Sequence, residues 1–64
     1  ALKYLKDAYN RYPDPEVAAH YSEVLWASGD REGARTVWNA TLKSHPGNTL
    51  ILETRQRLEG QGTP

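Results

Sequence analysis

Two histidines, eight carboxylates and a scattering of hydroxyls are the side chains of this 64-residue chain with the chemistry for acid–base work or metal binding. Their spacing does not assemble a reaction centre. His20 and His45 are far apart, with no cysteine or paired histidine at ligand spacing, so a zinc site is not expected. No serine stands in a nucleophile motif beside a histidine, and no Gly-rich loop is present to cradle phosphate. Carboxylates on short helices are ordinarily solvated, and a helical chain of this length offers little concave volume for a substrate. The expectation is a non-enzyme with no cofactor and no metal, whose informative residues are those that build and display a surface.

Composition narrows the choice of partner. Eight basic residues balance eight acidic ones, which leaves no global field to gather nucleic acid or an anionic membrane. Helical repeats can read RNA, but neutral charge argues against it, and a protein or peptide is the expected partner. Apolar runs such as Leu50-Ile51-Leu52 are far below the roughly 18 residues a membrane span requires. A core this small rarely supplies more than about 3–5 kcal/mol, and with no cysteine a disulfide cannot add to it. Very regular helix packing must make up the difference.

Helix punctuation divides the sequence into four segments, and an all-α fold of antiparallel helix-turn-helix repeats follows. A first helix over 2–12 stops before Pro13, whose ring disfavours helical geometry in the preceding residue. Asp14 caps a second helix over 15–28, with Pro15 at the first position, where a missing amide hydrogen costs nothing. Gly29 closes it in the left-handed conformation, and Asp30 caps a third helix over 31–44. His45-Pro46-Gly47 breaks the chain again, Asn48 caps a fourth helix over 49–59, and residues 60–64 read as a flexible tail. Apolar residues recur at helical spacing in Ala1, Leu5, Ala8 and Tyr12, in Ala18, Tyr21 and Leu25, and in Ala34, Trp38 and Thr41. Links this short imply antiparallel neighbours.

Laying the segment Ala1–Pro13 over Ala34–Pro46, a shift of 33, pairs Ala1 with Ala34, Leu5 with Trp38, Ala8 with Thr41 and Pro13 with Pro46. The first and third helices therefore have the same job. This divides the chain into a half repeat at 1–13, a full repeat at 14–47 and a capping helix at 48–59, and implies a fragment that begins inside a repeat. The full repeat reads Ala18-x2-Tyr21-Ser22-x2-Leu25, then Gly29 in the turn, Ala34-x3-Trp38-x2-Thr41, and Pro46. In this the chain resembles the tetratricopeptide repeat, a helical hairpin of period 34 with W-x2-L-G-x2-Y in its first helix, A-x3-F in its second and a closing proline. Ala34, Gly29 and Pro46 match outright; Ser22, Leu25, Trp38 and Thr41 fill their positions with residues of similar role. Ala18 in place of tryptophan is the largest departure and leaves volume for Tyr21 or Trp38 to fill. Small side chains at Ser22, Ala34 and Thr41 are expected to let helix backbones approach closely. The run His20 to Asp30, with Trp26 and later Trp38, also looks similar to the last repeats of proteobacterial tetratricopeptide lipoproteins. Some of those act as adaptors at the outer membrane and present substrates to a carboxy-terminal processing protease. That likeness implies the periplasmic side of the outer membrane; without it, the cytoplasm is the expectation.

The resemblance also implies where a partner binds, because in such arrays the first helix of each hairpin lines a groove. The groove positions fall on Glu16, Ala19, Glu23 and Trp26, with His20 and Ala27 flanking, and on Leu50, Glu53 and Arg57 in the fourth helix. Such a surface suits a peptide carrying an apolar and a basic side chain. Other roles compete with this one. Trp26 could pack against the fourth helix, Glu16 suits the positive end of its helix dipole, and Glu53 and Arg57 form an ordinary pair at i, i+4. The first helix is expected to bury Ala1, Leu5, Ala8 and Tyr12 against the second, which leaves Leu2, Tyr4 and Tyr9 pointing away as a second surface, a site for self-association.

Overall fold

A computed structural model describes residues 2–61 as four α-helices, α1 (Leu2–Arg11), α2 (Pro15–Ala27), α3 (Arg31–Ser44) and α4 (Thr49–Gln61). Local chemistry sets each boundary. Asp14, in extended geometry at φ −83° and ψ 143°, accepts the Glu16 amide at 2.8 Å through Oδ1, and Pro15 opens α2 behind it. Asp30 Oδ1 accepts the Gly33 amide at 2.9 Å, and Asn48 Oδ1 the Ile51 amide at 3.1 Å. Gly29 takes φ 99° at the end of α2. There the Asp30 amide donates to the Leu25 carbonyl at 2.9 Å and the Gly29 amide to Trp26 at 3.1 Å, the paired bonds that close a helix over a left-handed residue. Gly47, at φ 77°, makes the second turn. The fourth helix runs past the expected stop, because Gly60 and Gln61 stay helical. The remaining expected tail, 62–64, and Ala1 lie outside the described residues.

Consecutive helices are antiparallel, which leaves α2 and α4 running the same way with α3 against both. α2 is the hub. It touches all three other helices, whereas α1 touches α2 alone. The core is built from Ala18, Ala19 and Leu25 of α2, Ala34, Val37 and Trp38 of α3, and Ile51 and Leu58 of α4.

Ser22, Ala34 and Thr41 are all buried, as close approach of the backbones requires. Both hydroxyls are satisfied locally: Ser22 Oγ donates to the Ala19 carbonyl and Thr41 Oγ1 to that of Val37, each at 2.8 Å. Turned back on their own helices, they present small, nearly apolar surfaces to the neighbour. Ala18 is completely buried, and the large indole of Trp38, also completely buried, fills the same core. Its Nε1 has no hydrogen-bond partner among the described residues, an omission that costs about 1–3 kcal/mol where a donor is cut off from water.

The orientation of α1 corrects the sequence reading. Tyr12, expected to face α2, is 68% exposed, while Tyr9, expected to face away, packs its ring on Tyr21 with centroids 5.5 Å apart. The helix is turned so that Leu5 and Tyr9 approach α2, and no α1 residue is fully buried. Tyr4, at 74% exposed, does face away, as expected, and Leu2 lies at the exposed start.

Candidate protein-interaction surface

α2 and α4 lie side by side and parallel, and one cross-helix pair marks their register: the Arg57 guanidinium donates to Glu23 Oε2. A shift of 34 in the sequence relates those two residues, and it likewise relates Glu16 to Leu50 and Ala19 to Glu53. Arg57 is thereby committed to Glu23 across the groove and not to Glu53, its expected partner one turn away. The Arg57 side chain is 50% exposed and that of Glu23 37%, so the link is worth about 0–1 kcal/mol and the core packing beneath it holds the register.

Not every expected groove residue reaches the surface. Glu16, His20, Leu50 and Glu53 are exposed, and Glu23 is half-buried. Ala19 is the exception: at 6% exposed it belongs to the core, because its methyl lies on the flank of α2 shared with the neighbouring helices. It contributes packing to the core.

Trp26 sits at the other end of the same face. Its aromatic and cationic neighbours come from α3. The ring is half-buried, tilted 32° on Trp38 with centroids 5.6 Å apart. Over it lie two guanidinium groups, Arg31 at 5.0 Å and Arg35 at 5.7 Å from its centroid. Arg35 Nε also donates to Glu59 Oε2 at 3.4 Å, tying the start of α3 to the end of α4. Trp26 therefore joins core and surface: one part is held by Trp38 and another meets two cations.

Arg31 and Arg35 did not emerge from sequence reasoning as part of this surface. A signal for them exists. They lie four residues apart in the first turns of α3, just after the Gly29 turn, and an antiparallel hairpin carries that stretch back past the end of α2, where Trp26 stands.

The resulting surface is graded. Its one end has Glu16, Leu50 and Glu53; its middle is neutralised by Glu23 and Arg57; its far end is an aromatic ring edged by arginines. The described residues contain no cluster of three or more His, Cys, Asp or Glu side chains able to hold a metal ion. Among them no helix is long and apolar enough to cross a membrane.

No protein-family profile matches the chain, and no solved structure matches it. It is similar to the serine/threonine-protein kinase pkn3 of Myxococcus xanthus, with 39% identity over 62 residues. The match takes in 94% of this chain and 11% of the kinase, so the chain spans a small part of its relative's length.

Proposed function

We propose that the chain is a non-catalytic scaffold module of the tetratricopeptide-repeat type, which holds a protein or peptide segment along the α2–α4 face. The observation that carries this reading is the pair of parallel helices backed by α3, with small residues buried between them and a half-exposed tryptophan at one end. A segment with a basic residue toward Glu16 and Glu53 and an apolar one toward Trp26 complements the graded charge. The similarity to part of a kinase supports a modular reading, in which a segment of this kind rides on a larger protein and brings a target to it. An adaptor lipoprotein is a second type of parent consistent with the sequence.

A titration followed by amide and indole NMR tests the proposal, using twelve-residue peptides that pair an apolar with a lysine or arginine residue. Shifts are expected at His20, Glu23, the Trp26 indole and Arg57. No perturbation by any peptide, or perturbation confined to α1 and the outer side of α3, would refute it.

A second reading, a structural cap that closes a longer array, is favoured by one observation. Beside its groove-facing residues, α4 also exposes polar Gln56 and Glu59, as expected of a helix that ends a stack in water.

A further inference from the structure

One flank of α1 carries an open depression lined by Tyr4, Asp7, Ala8, Arg11 and Tyr12. These are positions i, i+3, i+4, i+7 and i+8, one continuous stripe of a helix. Its two tyrosines are the most exposed large hydrophobic side chains among the described residues, at 74% and 68%. Asp7 and Arg11 are exposed, and neither forms an ion pair among the described residues.

The order of the stripe is close to a palindrome in chemistry. Reversed about a point between residues 8 and 9, it sets Tyr4 against Tyr12, Asp7 against Arg11, and Ala8 near itself. Each pairing is off true register by no more than about one helical rise of 1.5 Å, which long side chains absorb. We propose that this face pairs with the same face of a second copy, α1 against α1 in antiparallel fashion about a two-fold axis. The small Ala8 lets the helices approach at the crossing. Each Asp7 meets the partner's Arg11, so the two-fold gives two complementary ion pairs, and the tyrosines at either end cover the apolar centre. A surface that is complementary to itself is the condition for a closed dimer rather than an open chain.

The contact is small. One ten-residue helix face covers less than the roughly 800 Å² per partner of a standard interface, so a dissociation constant on the order of 10⁻⁴ M is expected.

Sedimentation equilibrium of the 64-residue chain from micromolar to millimolar concentration reads this directly. Wild type is expected to pass from monomer to dimer. Asp7→Arg and Arg11→Asp each place like charges opposite one another and should weaken dimerisation about tenfold. Mixed together, the two variants regain complementary charges and should form a heterodimer of about wild-type affinity. Far-UV circular dichroism confirms that each variant is folded. A wild-type chain that stays monomeric to 1 mM (about the upper end of the series), association indifferent to either charge reversal, or a mixture no tighter than the separate variants would each overturn the proposal.

Discussion

Replacing Trp26 with alanine asks how far a side chain can serve the core and the surface at once. The mutation removes a ring pair with Trp38 worth about 0.5–1.5 kcal/mol and two cation contacts worth about 0.5–1 kcal/mol each. Truncating a fully buried aromatic costs about 3–5 kcal/mol, and Trp26 is only half-buried, so roughly 2–3 kcal/mol is the expected total. Set against the ~3–5 kcal/mol of a core this size, that leaves about 1–2 kcal/mol, or a folded-to-unfolded ratio near 10:1 at 25 °C. The variant should therefore remain helical at room temperature but melt about 10–20 °C earlier. Far-UV circular dichroism with urea and heat is the suitable assay, since the mutation deletes a fluorophore. Pairing it with Arg31→Ala in a double-mutant cycle should show a coupling of about 0.5–1 kcal/mol. A loss under about 0.5 kcal/mol, or a coupling of zero, would mean the ring is not held as described. A chain already unfolded at 25 °C would mean that Trp26 is core outright.

Two further substitutions examine the packing beneath that surface. Ala34→Leu forces a larger side chain into a fully buried contact, and a loss of about 1–3 kcal/mol is expected as a lower urea midpoint; an unchanged midpoint would contradict close approach of α2 and α3. Trp38→Phe deletes a buried donor without an acceptor, which offsets the packing lost with the smaller ring and should leave stability within about 1 kcal/mol of wild type. A loss beyond about 2 kcal/mol would show that the indole nitrogen is satisfied after all.

Helix ends and the core triad of small residues were legible in the sequence because both depend on neighbours a few positions away. Asp14, Asp30 and Asn48 each cap the helix they precede, and Ser22, Ala34 and Thr41 are buried as their spacing requires. The facing of α1 was not legible. Tyrosines at 4, 9 and 12 surround that helix, so periodicity alone does not choose between its two apolar sides, and contact with Tyr21 makes the choice. Register between helices was equally hidden. A pair at i, i+4 such as Glu53 and Arg57 can be read locally, whereas Glu23 with Arg57 depends on how two helices 34 positions apart align. Trp26 turned to α3 because the turn at Gly29 brings Trp38, Arg31 and Arg35 back to the end of α2.

The connections of α1 give the molecule an uneven grip on its own chain. A helix with no fully buried residue, docked on one neighbour, can lift away while the other three stay assembled, so opening at that end is cheaper than global unfolding. A second copy seated on α1, as proposed above, would supply the burial that the helix lacks and so raise the cost of lifting it from α2.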